Sequence, residues 1–256
     1  MPFPLAHPAA VLPFRRLKLL NFPALVIGAI VPDVGYCFVK YDLEGFTHSI
    51  RGCFEFSLPV GLLLLLIYYA VCEPLVNLLP APHRQALRPA CRPPRQPWFA
   101  APLSLLIGAV THVIWDSFTH ETGWCVERSS FLQLKVFIVQ GYDFRMYRLL
   151  WHISSLAGLL ILARAYGRTL KSRIDSAPLV EAEERRRYAL WLVLLSLPLL
   201  GAVPTALLYY HDPKESSPVN AVSQFLRLSA ALYLVVLTLV LVALGATLKM
   251  KRRSTA

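Results

Sequence analysis

The stretch GAVTHVIWDSFTH, residues 108 to 120, decides how the rest of the chain is interpreted. It lies at the end of an apolar run from Trp98 to Phe118, yet it carries His112, Asp116 and His120. On an α-helix these three positions lie on one face, with His112 and Asp116 about 6 Å apart along the axis. Imidazole nitrogen and carboxylate oxygen are ordinary zinc ligands, so the spacing predicts either a metal site or a buried His–Asp hydrogen bond.

The chain around this stretch is too apolar for one soluble core, since 56% of its 256 residues are hydrophobic. Five apolar runs are long enough to cross a hydrocarbon layer of about 30 Å as helices. We therefore predict an all-α fold, a polytopic integral membrane helical bundle with about five transmembrane helices. The predicted spans are approximately Phe56 to Leu79, Trp98 to Phe118, Leu149 to Tyr166, Tyr188 to Tyr210 and Leu226 to Leu248. An N-terminal apolar stretch, Phe22 to Val39, is interrupted by VPDVG and is predicted to form a shorter or re-entrant helical segment.

Positive charges alternate along the chain as in a multi-pass membrane protein. The formal net charge is +11, and 15 Lys and Arg residues flank one set of span ends, whereas the opposite segments carry eight. By the positive-inside rule, segments 80–97 and 167–187 and the C-terminus are cytoplasmic, whereas segments 40–55, 119–148 and 211–225 lie outside, which predicts a multi-pass membrane protein. The same placement argues against a nucleic-acid partner and favours membrane lipids. The 15 residues are Arg84, Arg88, Arg92, Arg95, Arg164, Arg168, Lys171, Arg173, Arg185, Arg186, Arg187, Lys249, Lys251, Arg252 and Arg253.

Ionisable residues divide the chain into two parts. Residues 1–166 hold six of the seven histidines, and we predict that they form a membrane-embedded domain with a His/Asp site. Residues 167–256 are predicted to add two further transmembrane helices with basic cytoplasmic flanks. Because the apolar cores of those two spans hold no ionisable residue, we expect them to serve as a scaffold or as contacts in a homo-oligomer.

Further side chains of metal-ligand type are predicted to reach the same membrane face as His112 and Asp116. Asp33 lies at the outer end of its apolar stretch, and His48 comes just before the first predicted span. His7 returns toward Asp33 if the chain turns back at the basic RRLK motif, and His152 begins a span at its outer end. An ionisable residue at membrane depth is costly and needs a partner. Three explanations stay open: a shared site for zinc or another divalent metal, a proton or hydrogen-bond network, and unrelated structural roles.

Five blocks of the sequence resemble, in order, those of a bacterial membrane family, the domain-of-unknown-function family 4184. This resemblance implies that the membrane is the bacterial cytoplasmic (inner) membrane. The blocks are LAHPAAVLPFRR (5–16), ALVIGAIVPDVGY (24–36), FTHSIRG (46–52), GAVTHVIWDSFTHETGW (108–124) and YRLLWHISSLAGLL (147–160). More distantly, the motifs PD, THS and HxxxD are similar to those of inner-membrane-associated metal-dependent hydrolases. The order of the His and Asp residues also resembles the ligand set of zinc-dependent phospholipase C and P1-type nucleases.

This last resemblance implies a set of metal ligands, with Asp33 and Asp116 as the catalytic carboxylates. The implied ligands are His7, Asp33, His48, His112, Asp116, His120 and His152. The soluble enzymes continue with HxxxE, whereas the residue four positions after His152 is Leu156. The pattern therefore departs from a three-metal site at this point.

The chemistry implied by such a site is hydrolysis of a phosphate ester. A zinc ion, or two ions bridged by Asp33 or Asp116, would lower the pKa of bound water to about 7 and polarise a phosphoryl oxygen. At the outer headgroup level, a phospholipid or a lipid-linked phosphate is the accessible substrate. Arginines that could hold its phosphate are Arg51, Arg128 and Arg145, and hydroxyl residues that could orient the imidazoles are Thr47, Ser49, Thr111 and Thr119.

Two other classes of function stay open. One is a non-enzymatic membrane protein whose His/Asp network stabilises helix packing or passes protons. The other is a transporter, for which the sequence shows no paired inverted repeat.

Overall fold

The computed structural model describes residues 4–35, 44–139, 142–173 and 181–211, which are mostly helical. The chain begins with a 3-10 segment, Pro4–Arg16, followed by the short helices α1 Phe22–Gly28, α2 Val31–Val34, α3 Glu44–Thr47 and α4 Ile50–Gly52. A π-helical turn, Cys53–Ser57, leads into helices α5 Leu58–Asn77 and α6 Ala81–Leu87, and a 3-10 turn, Arg88–Cys91, precedes helices α7 Ala100–Ser117, α8 Trp124–Arg128 and α9 Ser130–Gln133. Strands β1 Lys135–Val139 and β2 Tyr142–Arg145 come next, and helices α10 Met146–Arg173 and α11 Glu181–His211 complete the described part.

Three helical stretches are long and apolar enough to cross a membrane, which indicates a membrane protein. They are Ile50–Asn77, Ala100–Ser117 and Met146–Ser172. These stretches overlap the first three predicted spans. The fourth predicted span, Tyr188 to Tyr210, lies within α11, which is not one of the three. The fifth, Leu226 to Leu248, lies outside the described residues, so the total of five spans stays a prediction.

The apolar stretch that begins at Phe22 is broken into two short helices, α1 and α2, in its described part. The side chain of Asn21 caps the start of α1 by accepting a hydrogen bond from the Ala24 backbone N–H at 3.0 Å. Pro32 lies in the first turn of α2, where its missing N–H costs least. Neither helix is long enough to cross a bilayer. The shorter element expected from VPDVG is therefore present, and Asp33 lies in it, buried.

Helix α1 packs against α7 at unusually close range because each helix has a glycine at the contact. A side chain on Gly28 would overlap the carbonyl group of Leu105, and one on Gly108 would overlap the carbonyl oxygen of Leu25. Leu105 and Leu25 are themselves fully buried. Glycine at both positions lets the two backbones approach to a distance that alanine would not allow. This close approach sets the position of the α1 carboxyl end beside the middle of α7.

Polar contacts fix the other end of the same helix pair. The backbone N–H of Asn21 donates to Ser104 Oγ at 2.8 Å, and Ser104 donates in turn to the Ala100 carbonyl at 2.6 Å. The amide of Asn21 also donates to the Tyr69 hydroxyl of α5 at 3.1 Å. These buried groups are therefore satisfied by one another, and they hold α1, α5 and α7 in register.

The 3-10 segment Pro4–Arg16 lies over α1, α7 and α10. Val11 belongs to a buried cluster with Leu25 and Ala29 of the α1 region. Ala6 is fully buried, and a side chain on Gly158 of α10 would approach the Ala6 carbonyl oxygen to 3.0 Å. The segment is therefore clamped between helices, and this places the buried His7 beside α7.

A β-hairpin departs from the predicted all-α fold. Strands β1 and β2 pair antiparallel, and the rings of Phe137 and Phe144 stack across them at 4.5 Å. Lys135 and Asp143 form an ion pair at 2.6 Å on the same hairpin. The stretch KVFIV is rich in β-branched and aromatic residues, which favour a strand over a helix.

The chain divides into two compact units, Met1–Ala70 with Ala90–Ser172, and Val71–Pro89 with Arg173–Ala256. In the second unit, Glu184 of α11 accepts a hydrogen bond from the Ala81 backbone N–H at 2.7 Å and lies 3.3 Å from Arg84. The division after residue 166 into a site-bearing domain and two added spans stays a prediction.

Candidate metal centre

Four side chains of metal-ligand type meet in the first unit: Asp33, His48, His112 and Asp116. One ligand atom from each residue lies within 4.8 Å of the others. Asp33 comes from α2, His48 from the turn before α4, and His112 and Asp116 from α7. Three of the four residues are buried, and His48 is 14% exposed at its side chain. The group is therefore buried except on the side of His48.

A backbone carbonyl fixes the orientation of the His112 ring. Its Nδ1 lies 2.8 Å from the carbonyl oxygen of Ala29, which can only accept a hydrogen bond. A neutral His112 therefore carries its proton on Nδ1 and presents a lone pair on Nε2. Backbone carbonyls fix metal-binding histidines in this way in known sites. The contact exists because the glycine pair brings the end of α1 against α7.

His48 is positioned by the residues on either side of it. Thr47 Oγ1 lies 3.1 Å from the Nδ1 atom of His48. The next residue, Ser49, caps α4 by accepting from the Gly52 backbone N–H at 3.0 Å. The cap starts the helix immediately after His48, so the imidazole projects from a fixed turn. Its Nε2 then points toward Asp33, His112 and Asp116.

Five of the six separations among these four residues are close to the edge length of a tetrahedron of zinc ligands. Nε2 of His48 lies 3.3 Å from an oxygen of Asp33, 3.3 Å from an oxygen of Asp116 and 3.2 Å from Nε2 of His112. Nε2 of His112 lies 3.1 Å from the same Asp116 oxygen and 3.5 Å from that of Asp33. Ligands about 2.0 to 2.1 Å from a tetrahedral zinc ion are about 3.3 to 3.4 Å from one another. The donor set of two imidazoles and two carboxylates therefore fits a divalent cation in both spacing and charge.

The metal-free centre attracts positive charge. Burial by itself would lower the pKa of His48, but its hydrogen bonds to Asp116 and Asp33 outweigh burial and raise that pKa to about 9. Burial would raise the pKa of Asp33, but its hydrogen bonds with His112 and His48 lower it to about 2. Without a metal, the protonated His48 thus offsets part of the charge of the two carboxylates.

His7 and His120 lie around the second oxygen of Asp116. Nε2 of His7 is 3.5 Å from Asp116 Oδ1, and Nδ1 of His120 is 3.7 Å from the same atom. The His7 ring stacks on the His112 ring with centroids 3.8 Å apart. Burial, and then the nearby His112, lower the pKa of His7 to about 4, so it is neutral near pH 7. Neither of its ring nitrogens has a hydrogen-bond partner among the described residues, which is costly for a buried group.

His152 lies outside this cluster. Its ring packs against Phe144 of the hairpin at 5.8 Å and against Trp151 at 4.3 Å. It lies in the second turn of α10, which begins at Met146, and it lines a neighbouring cavity of about 330 Å³. His120 also lines that cavity, so the cavity is adjacent to the candidate centre.

Comparison with known families identifies the chain. The family described as a domain of unknown function, DUF4184, matches residues 1–248. The chain belongs to the DUF4184 family. No curated protein and no solved structure matches this DUF4184 protein significantly. The more distant resemblance to metal-dependent hydrolases therefore has no support from these comparisons.

Sequence reasoning missed two groups of this DUF4184 chain, one in contact with the candidate centre and one in the neighbouring cavity. The Ala29 carbonyl could not be found from sequence, since every residue has a carbonyl. Arg148 lines the cavity beside His120 and His152, and its spacing of one helical turn before His152 could have indicated it. By contrast, the predicted phosphate ligand Arg51 pairs with Glu55 at 2.8 Å on the exposed surface.

Other residues predicted to support the site bond locally in this DUF4184 protein. Arg128 donates to the Trp124 carbonyl of its own helix at 3.1 Å. Thr111 donates to the Gly108 carbonyl at 2.7 Å, within α7. Arg145 lies in strand β2, and Thr119 Oγ1 lies 3.4 Å from Nδ1 of His120. Of the hydroxyl residues predicted to orient imidazoles, Thr47 and Thr119 therefore contact a ring directly.

Proposed function

We propose that this protein is a metal-dependent hydrolase that acts on a phosphate ester, a phospholipid or a lipid-linked phosphate, at the outer surface of the bacterial inner membrane. The observation that carries the proposal is the convergence of His48, His112, Asp33 and Asp116 at separations of 3.1 to 3.5 Å. Two neutral imidazoles and two carboxylates have a net charge of −2, which a divalent cation such as zinc balances. A bound cation would supply an activated water and polarise a phosphoryl oxygen.

The cavity beside the centre supports a phosphate-bearing substrate. It is lined by His120, which contacts the centre, and by Arg148, whose planar guanidinium suits two phosphate oxygens. Arg148 lies 3.8 Å from Glu121 at the surface, a loose contact that a phosphate could replace. Arg148 would thus orient the ester while the cluster acts on its phosphorus.

Exposed apolar side chains in the segment between α7 and α10 support a lipid rather than a soluble substrate. Trp124, Phe131 and Ile138 are each more than half exposed, although they are large and apolar. Exposed apolar side chains of this kind are typical of a surface that meets a membrane. The charge asymmetry of the loops supports the outer side for this end of α7.

Within the proposed centre, the chain's own groups have distinct roles. Asp33 and Asp116 supply the negative charge that holds the cation, and His48 and His112 complete the donor set. His120 lies between the cavity and Asp116 and is 17% exposed at its side chain. It is therefore placed to receive or give a proton at the substrate, as a general acid or base would.

The test compares two Asp→Asn variants of the purified full-length protein. Asp116→Asn should reduce bound metal from about one ion per chain to background, and it should abolish release of phosphate or headgroup from lipid substrates. Asp143→Asn, which removes the same charge from the hairpin ion pair, should leave both unchanged. Metal is measured by mass spectrometry, and folding by circular dichroism.

Each outcome distinguishes the hypotheses. Metal without turnover on any phospholipid or lipid-linked phosphate would leave the metal centre standing and refute the phosphoesterase proposal. A metal-free parent protein that stays metal-free after incubation with zinc would refute both. It would favour a second candidate, a hydrogen-bonding or proton-relay network, which the raised pKa of His48 supports because its imidazolium can replace the cation.

A further inference from the structure

A second cavity of about 490 Å³ lies between the Pro4–Arg16 segment and the far part of α10. Its walls include four arginines, Arg15, Arg16, Arg164 and Arg168, and the large apolar side chains of Leu12 and Ile161. We refer to it as the arginine groove. Its residues all belong to the first unit of the chain, and none of them belongs to the metal centre.

The arginine groove concentrates positive charge. Among the described residues, no Asp or Glu lines it, and none of its four arginines forms an ion pair with a carboxylate. Arg164 and Arg168 are one helical turn apart, where like charges destabilise a helix. Arg15 and Arg16 face them from the other wall. An anion bound between the walls would remove this repulsion and could accept several charge-assisted hydrogen bonds.

The position of the groove along α10 suggests what carries the anion. Arg164 is 12 residues beyond His152, which is about 18 Å along a helix axis. The groove is therefore near the opposite end of the apolar span Met146–Ser172 from the metal centre. By the charge asymmetry, this end is the predicted cytoplasmic one.

Apolar surface continues from the groove toward the middle of the span. Leu12 and Ile161 form part of its walls, and Leu156, Leu160 and Ile161 of α10 are each at least half exposed. A soluble phosphate ion would make no contact with this apolar surface, whereas acyl chains would cover it. A ligand with a phosphate at one end and acyl chains at the other would pair with the four arginines and also cover the apolar surface of α10.

We propose that the arginine groove binds the phosphate headgroup of an anionic phospholipid, whose acyl chains lie along α10. This site is independent of the proposed hydrolase, since it lies in the other leaflet and shares no residue with the metal centre. It would attach the Pro4–Arg16 segment, and with it His7, to the third apolar helix through the lipid.

The experiment measures lipid binding to the full-length protein in detergent by native mass spectrometry. Phosphatidylglycerol should bind more tightly than phosphatidylcholine with the same acyl chains. Arg164→Gln/Arg168→Gln should weaken phosphatidylglycerol binding by about tenfold or more, since each basic residue near an anionic lipid contributes appreciably. The matched control, Arg92→Gln/Arg95→Gln, removes the same charge from an exposed loop and should weaken it less than about threefold.

Three results would overturn the proposal. The first is an affinity of the parent protein for phosphatidylglycerol within about twofold of its affinity for phosphatidylcholine. This result would decide without any variant. The second is equal weakening in the groove and control variants, which would indicate diffuse attraction to positive charge. The third is displacement of the lipid by inorganic phosphate at equal concentration, which would make the groove a site for free phosphate. If the Gln variant misfolds, Arg164→Lys/Arg168→Lys keeps the charge but loses the planar fork, and it should still weaken binding measurably.

Discussion

At the scale of single residues, the candidate centre depends on which atom of each ring faces inward. His112 presents Nε2 because its Nδ1 is engaged by the Ala29 carbonyl, and His48 presents Nε2 because Thr47 contacts its Nδ1. His7 differs, since its ring is held by stacking on His112 and its Nε2 only approaches Asp116. These differences allow the roles of the histidines to be separated by substitution.

His7→Phe should separate the packing role of this ring from its polar role. Phenylalanine keeps an aromatic ring against His112 but removes the nitrogen 3.5 Å from Asp116. We expect the helical content to be unchanged and the zinc affinity to fall by about tenfold to a hundredfold, as for other groups that support metal ligands. Competition with a chelator measures the affinity. His83→Phe, in α6 of the second unit, should have no effect, and an unchanged affinity for His7→Phe would reduce His7 to a packing residue.

Zinc binding should release protons, and its affinity should rise with pH. In the metal-free protein the pKa of His48 is raised to about 9, so the ring is protonated at pH 7 and must lose that proton to bind a cation. This contribution weakens zinc binding about tenfold per pH unit below pH 9 and disappears above it. Calorimetry at pH 7 in two buffers of different ionisation enthalpy gives the number of protons released. Zinc binding with no proton release would contradict the pKa shift.

Sequence reasoning reached this scale only in part. The spacing of His112 and Asp116 follows from helix geometry, so their shared face could be predicted. The predicted topology places Asp33 and His48 at the same membrane face as that pair, but their distances from it depend on how α2 and α4 pack, which no local pattern records. His152 was predicted as a metal ligand because it lies near the outer end of its span, but it lines a neighbouring cavity instead.

At the scale of helices, the pairing of α1 with α7 determines the geometry of the centre. A single Cβ at Gly108 would overlap the Leu25 carbonyl, so α1 would have to move and carry Ala29 away from His112. The hairpin, by contrast, was not predicted from the sequence. KVFIV lies within segment 119–148, for which the sequence predicts only an outer position, since strands of five and four residues give too short a pattern to stand out from apolar flanks.

Gly108→Ala should therefore destabilise the protein and weaken metal binding together. Overpacking of this kind costs about 1 to 3 kcal/mol, and we expect a lower thermal midpoint in detergent as well as a lower zinc affinity. Gly167→Ala is the matched control, because a side chain there meets nothing within 4 Å. It should leave zinc binding unchanged and stabilise α10 by up to about 1 kcal/mol, since alanine is the better helix former. Equal midpoints for the two variants would mean that the helix pair can relax without cost.

At the scale of the whole molecule, composition was the most informative part of the sequence. It indicated a membrane protein, and three apolar helices support that class. Orientation is a different matter, since it depends on how charges are placed relative to a bilayer and not on packing within the chain. The 15 to eight distribution of positive residues is therefore the only basis for the predicted sidedness.

Reporter fusions test that orientation directly. A fusion after residue 90 should be active only for a cytoplasmic reporter, and one after residue 135 only for an external reporter, because positive loops are retained inside. Fusions that report the opposite sides would invert the protein. They would then place the metal centre toward the cytoplasm and the arginine groove toward the outside.

The distribution of the four ligands along the chain has a consequence for biosynthesis. Asp33 and His48 are translated first, and His112 follows 64 residues after His48, which takes roughly 3 to 13 s at usual rates of elongation. During that interval the nascent chain holds two of the four donors, Asp33 and His48. If the centre binds a cation as we propose, its capture would be a maturation step that follows insertion of α7. Cells starved of zinc should accumulate this protein in the membrane as an intact but immature species.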